Sequence, residues 1–238
     1  MTLNTGIHKN ILLKILKDIY TDTSLGPLLG FKGGTAAHFF YNLTRFSVDL
    51  DFDLLDKDRE QEIFEKLKNI VKRYGRINPS TSSGRAEDEK NKKHTLFILL
   101  SYSEKDYNIK IEINKRNFDS RYELKSYLGI SMLVMKKEDM FAHKLVAMTE
   151  RTGMANRDIF DVWFFLENNW EINKKMIEKR TGIKFKNYIQ KCIKLIEKLP
   201  KHRILSGMGE VLDKKQKLWA KTNLKNDVLF LLKLMLAS

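Results

Sequence analysis

Three aspartates stand at alternate positions of one short run, Val48-Asp-Leu-Asp-Phe-Asp-Leu54, and the residues between them are all apolar. A period of two is that of a β-strand, whose successive side chains point to opposite faces. The run therefore reads as a strand that buries Val48, Leu50, Phe52 and Leu54 and lines its other face with Asp49, Asp51 and Asp53. Carboxylates at that spacing oppose one another's ionisation unless a cation lies between them. A hard divalent cation such as Mg2+ suits the position. It takes oxygens from one or two carboxylates and completes its shell with water and substrate phosphates.

Upstream, Gly33-Gly34-Thr35 follows the apolar run Leu28-Leu29-Gly30-Phe31, and 36–43 reads as a helix of small and aromatic residues. Glycine lets backbone approach a ligand closely, and a helix N-terminus offers N–H groups to a phosphate. A Gly-Gly-Thr turn, a helix and then Asp-x-Asp on a strand together resemble the signature of the nucleotidyltransferase (DNA polymerase β-like) superfamily. More narrowly, Gly33-Gly-Thr-Ala36 followed by Arg45-Phe-Ser-Val-Asp-Leu-Asp-Phe-Asp53 is similar to the AbiEii/AbiGii toxin family with its MenT relatives. The resemblance implies that Gly33, Gly34 and Thr35 form the nucleotide-phosphate loop and that Asp49 and Asp51 bind metal. Asp53 falls one step beyond that pair. The bland reading of a lone Asp-x-Asp is a solvated acidic face, and the combined motif argues against it.

Two further stretches extend the resemblance. Residues 94–102 and 107–114 read as strands joined by Ser-Glu-Lys-Asp, a hairpin. In the second, Ile109, Ile111 and Ile113 face one way, and Lys110, Glu112 and Asn114 the other. The superfamily places a third carboxylate on a strand beside its Asp-x-Asp, and Glu112 in Ile-Lys-Ile-Glu-Ile matches it; the alternative is an exposed Lys110–Glu112 pair. Farther on, 136–151 and 156–168 read as helices. The string from Glu138 to Arg151, then Arg157-Asp-Ile-Phe-Asp161, is similar to the family's later motifs. This maps Lys144 onto a lysine that faces nucleotide phosphates, with Asp158 and Asp161 near the site. Their i, i+3 spacing puts both carboxylates on one helix face; the alternative is capping and ion pairing with Arg151 or Arg157. His143 receives no role, and the five histidines lack the spacing of a zinc site.

The positioning elements follow from periodicity. Residues 7–20 read as an amphipathic helix and 58–74 as a second, ended by Gly75. Residues 78–93 read as a polar loop whose Arg85, Lys90, Lys92 and Lys93 are more simply solvated than phosphate-binding. From Glu171 on, helices are predicted at 174–180, 184–198, 208–220 and 224–236, with lysines recurring on their exposed faces. The fold class is α+β: a nucleotidyltransferase-like mixed sheet flanked by helices, then an all-helical C-terminal part. The predicted domains are 1–135, catalytic, and 136–238, helical.

The chain of 238 residues carries a formal charge of +14. Such an excess favours polyanionic partners, nucleic acid first among them, although a Lys-rich proteome would produce the same figure. Cys192 is the single cysteine, which fits a reducing cytoplasm. No signal-peptide core or membrane-length apolar run appears, so no membrane partner is expected. The resemblance implies a toxin of a toxin–antitoxin system with a cognate antitoxin. It would transfer a nucleoside monophosphate from an NTP to an RNA acceptor, the 3′ end of tRNA. Two Mg2+ ions on Asp49, Asp51 and Glu112 would activate the acceptor hydroxyl and stabilise the departing pyrophosphate. Gly33, Gly34 and Thr35 would hold the β- and γ-phosphates, and Lys144, with Arg45 or Ser47, would neutralise the triphosphate. Two alternatives stand beside this: transfer to a protein or small-molecule hydroxyl, and a non-catalytic basic module that binds RNA or protein.

Overall fold

A computed structural model of the chain describes residues 4–78, 94–102, 107–153 and 155–237. The basic residues at 85–93 and the hairpin turn at 103–106 lie outside the described residues. The chain divides into two units. The first comprises Met1–Asn42, Ser47–Asn117 and Tyr122–Met135, and the second Leu43–Phe46, Phe118–Arg121 and Lys136–Ser238.

The first unit is built on a mixed seven-stranded sheet flanked by helices. Its strands are β1 (Leu29–Lys32), β2 (Leu50–Leu54), β3 (Arg76–Ile77), β4 (Thr95–Ser101), β5 (Asn108–Asn114), β6 (Tyr122–Tyr127) and β7 (Ile130–Met135), in the order β3-β4-β5-β2-β1-β7-β6. β2 lies parallel to β5 and antiparallel to β1. Helix α1 (Thr5–Thr21) buries Leu12, Ile15, Leu16 and Ile19, the i, i+3, i+4, i+7 stripe of an amphipathic helix. Each such side chain contributes about 1.5–3 kcal/mol on burial. The Asn4 side chain caps this helix by accepting from Ile7 N at 3.1 Å. Helix α2 is Gly33–Phe40 and α3 is Glu60–Val71.

Several features of this unit differ from the sequence expectation. The Gly-Gly-Thr segment forms the first turn of α2 rather than a loop ahead of it. β2 begins at Leu50, because the carbonyls before it are taken by side chains instead of a neighbouring strand. Val48 O meets the His8 ring, and Asp49 O accepts from the Thr35 hydroxyl. The β6–β7 hairpin was not expected. Its two-residue turn places Leu128 at φ 49° and Gly129 at φ 78°, the doubly left-handed geometry that hairpins favour. Leu in place of Asn or Asp at the first turn position removes the usual sequence signal.

The second unit is helical: α4 (Lys137–Arg151), α5 (Arg157–Glu167), α6 (Lys174–Thr181), α7 (Phe185–Lys198), α8 (Lys214–Trp219) and α9 (Lys225–Ala237). Phe141, Phe160, Phe165 and Tyr188 are buried within it, and Phe165 stacks on Trp170 at 4.0 Å. The predicted helix 208–220 starts only at Lys214. Asp213 and Gln216 form a reciprocal capping box there, which satisfies the first free N–H groups and fixes the start. Cys192 is buried, and desolvation pushes its thiol up to about 12. Among the described residues no helix is long and apolar enough to cross a membrane.

Candidate active site

In the first unit, Asp51 and Glu112 are register partners on the parallel strands β2 and β5. Partners at that position share a face, and neighbouring strands lie about 4.8 Å apart. The two carboxylates are therefore side by side. Gly33 has φ +81°, and a Cβ there would stand 2.1 Å from Asp51 Oδ2. Only glycine lets the start of α2 lie against this carboxylate. Asp49 sits just ahead of β2, with Oδ1 accepting from Lys110 N at 3.3 Å. Glu112 Oε2 accepts from Lys110 Nζ at 2.5 Å in a half-exposed pair.

Thr35 is fully buried. Its hydroxyl donates to Asp49 O and shares a 2.9 Å hydrogen bond with Ser47 Oγ, so Thr35 and Ser47 fix the backbone that leads into the acidic strand. Asp53, also buried, takes Lys32 Nζ at 2.5 Å, Asn114 Nδ2 at 2.7 Å and the Tyr122 hydroxyl at 2.5 Å. Tyr122 reaches it across Gly30, where a Cβ would meet the ring at 2.2 Å. The third aspartate of the run is thus a hub for β1, β5 and β6.

His8 escaped sequence reasoning. It is buried on α1, with Nε2 2.9 Å from Val48 O and Nδ1 2.7 Å from the Tyr102 hydroxyl. Val48 O can only accept, so Nε2 carries the proton and Tyr102 donates to Nδ1. Desolvation holds the His8 pKa below its ordinary value, against the opposing pull of the Val48 carbonyl and the Asp49 carboxylate. The available signal was its spacing: His8 precedes Leu12, Ile15 and Leu16 at i+4, i+7 and i+8, on the buried stripe.

The acidic set offers oxygen donors only, which suits a hard cation such as Mg2+ rather than zinc. The in-register Asp51–Glu112 pair under Gly33 fits such an ion. Among the described residues, no three His, Cys, Asp or Glu side chains are grouped to hold a metal by themselves. Remaining ligands would come from water and substrate.

The second unit gathers Arg45, Lys144, Arg151, Asp158 and Asp161. Arg45 is buried and bidentate on Asp161, with Nε at 2.5 Å and Nη2 at 2.7 Å. Lys144 Nζ lies 3.0 Å from Asp158 Oδ1 and 2.8 Å from Asp161 Oδ2. Arg151 Nη2 lies 2.8 Å from Asp158 Oδ2. Burial pushes the Asp161 pKa up, but Arg45 and Lys144 outweigh it and hold the carboxyl well below the usual range. Nearby, Asp139 anchors Arg121 through its backbone N at 2.6 Å and its guanidinium at 2.8 Å.

Solved structures share this architecture. A candidate nucleotidyltransferase from H. pylori aligns with a TM-score of 0.64 at 19% identity, covering 100% of this chain and 96% of its own. JHP933 from Helicobacter pylori gives 0.61 at 20% identity, with 100% and 94% covered. MenT4, a nucleotidyltransferase toxin from Mycobacterium tuberculosis H37Rv, gives 0.52 at 15% identity, with 97% and 93% covered. Among curated proteins, none matches the sequence. The family described as nucleotidyl transferase AbiEii toxin, type IV TA system, matches residues 14–222, and the chain belongs to it. It is accordingly a nucleotidyltransferase of a toxin–antitoxin family, which implies an NTP substrate and a cognate antitoxin.

Proposed function

We propose that the protein transfers a nucleoside monophosphate from an NTP to the 3′-terminal hydroxyl of a tRNA, with Mg2+, in the cytoplasm, and acts as a toxin by doing so. The observation that carries the chemistry is the in-register Asp51–Glu112 pair beneath Gly33. Asp51 and Glu112 would hold the metal as a pair, with Asp49 joining them once metal and substrate are bound. Two Mg2+ ions, when bound, would acidify the acceptor hydroxyl and stabilise the leaving pyrophosphate.

The chain's own residues do the positioning. The Gly33 and Gly34 amides open α2 and present N–H groups to the β- and γ-phosphates. Thr35 and Ser47 support this by fixing the backbone at Asp49. His8 holds the preceding carbonyl, so Asp49 enters the reaction from a backbone tied down at two successive residues. In the second unit, three cations, Arg45, Lys144 and Arg151, meet two carboxylates, Asp158 and Asp161. The excess positive charge suits a phosphate, with Lys144 as the group that neutralises it. The acceptor reading rests on the +14 charge, since phosphate contacts supply most non-specific nucleic-acid affinity.

The test is a transfer assay with Mg2+, each labelled NTP in turn and total tRNA, with Asp49→Ala/Asp51→Ala as control. Label on tRNA with the wild type alone supports the proposal. Label on protein instead shows a different acceptor, and no transfer to any acceptor overturns the reading.

A further inference from the structure

The charges of two surface helices in the first unit are arranged differently. On α3 the cations are matched in place: Arg59 and Lys66 both bind Glu62 at 2.7 Å, and Lys68 binds Glu65 at 2.9 Å. On α1, Lys9, Lys14 and Lys17 pair with no carboxylate among the described residues. The one acid of α1, Asp18, is taken by Arg73 at 2.9 Å and by the Tyr74 hydroxyl. A Lys-rich composition alone would load both helices alike.

The three lysines flank a groove of about 340 Å³ together with Asn10, and Leu13 and Ile130 supply its apolar part. Among the described residues no Asp or Glu lines it. Lys9 Nζ also lies 5.6 Å from the Phe39 ring and 5.7 Å from the Tyr127 ring, which stack on each other at 5.0 Å. Cation–π contact holds this ammonium in place. From Lys9 to Lys17 the helix rises about 12 Å, long enough to meet several phosphates. His8, next to Lys9, is bonded to Val48 O just ahead of the acidic strand, so the helix is registered directly to the Asp49–Asp51 backbone.

We propose that this lysine face of α1 holds the phosphate backbone of the RNA acceptor. The inference rests on the transferase reading above for the identity of the polyanion. A lipid surface is the poorer fit. An interfacial helix must offer its apolar side, and that side of α1, Leu12, Ile15, Leu16 and Ile19, is already buried in the protein core. Contacts of this kind position a nucleic acid without reading its sequence.

The experiment compares the full-length wild type with Lys9→Gln/Lys14→Gln/Lys17→Gln, using total tRNA over a range of salt concentrations. Gln is a good helix former, so the helix is kept, and circular dichroism checks this. Each lost phosphate contact lowers the slope of log affinity against log salt by about 0.7–0.9, so the triple variant should lose about 2. Its KM for tRNA should rise about tenfold or more in low salt, while its KM for NTP and its kcat at saturating tRNA stay within about twofold. Lys66→Gln/Lys68→Gln, from the compensated helix, should change neither slope nor KM. An unchanged slope in the triple variant overturns the proposal, as does a loss confined to vesicles of anionic phospholipid. Salt-dependent tRNA binding that falls in the triple variant, without transfer by the wild type, would keep the docking surface and refute the transferase reading instead.

Discussion

The two units each carry a close pair of carboxylates, and they use them in opposite ways. In the helical unit, Asp158 and Asp161 are fully buried and met by Arg45, Lys144 and Arg151. Removing a partner from such a network leaves a buried charge uncompensated, so its loss costs stability whatever else the group does. In the sheet unit, Asp51 and Glu112 are only half-buried, and among the described residues the cation paired with Glu112 is the half-exposed Lys110. A glycine presses against Asp51 where any other residue would clash. Spacing along the chain does not distinguish the two pairs. What distinguishes them is which charges distant segments bring.

Substitutions can break this contrast. The largest effect is expected from Asp49→Ala/Asp51→Ala: loss of transfer by about a thousandfold or more, with the thermal melt little changed. Asp161→Ala should do the reverse to stability. It strands the buried Arg45 and should cost about 3–5 kcal/mol, read as a large fall in Tm. A melt unchanged by Asp161→Ala, or collapsed by the Asp49/Asp51 variant, would invert the comparison.

Gly33→Ala comes next. The residue is left-handed at φ +81° and faces Asp51, so a cost of about 1–2 kcal/mol is expected together with weakened NTP binding, measured by denaturation and titration.

The pH dependence sharpens the same contrast. Asp161 has a folded pKa below its unfolded value of about 3.9. The unfolded chain therefore binds the extra proton, and the stabilisation from this pair is present above about pH 4 and lost as pH falls through the folded value. Arg45→Gln should flatten that acid limb in denaturation curves recorded from pH 6 downward. The smallest effect belongs to Lys110→Gln. Its half-exposed pair with Glu112 contributes under about 1 kcal/mol, so the melt should barely move.

Much of the sheet unit was legible in the order of residues. Alternation in Leu50–Leu54 and in Asn108–Asn114 marked the two strands that bear Asp51 and Glu112. The i, i+4, i+7 stripe marked α1. Asp53 shows where that reading stops. By alternation it is equivalent to Asp51, yet Lys32, Asn114 and Tyr122 converge on it from three other strands. The β6–β7 hairpin went unread because Leu128 occupies a turn position that ordinarily signals itself with Asn or Asp.

The sequence by itself determined the periodic elements, the Gly-Gly-Thr and Asp-x-Asp motifs and the family, since each is a local pattern set by backbone geometry and residue type. The tertiary structure alone decided which carboxylates are neutralised. Arg45 and Asp161 stand 116 positions apart, His8 and Val48 40 apart, and Tyr122 and Asp53 69 apart. Charge compensation acts through space, and no periodicity along the chain encodes which distant cation will arrive beside a given acid.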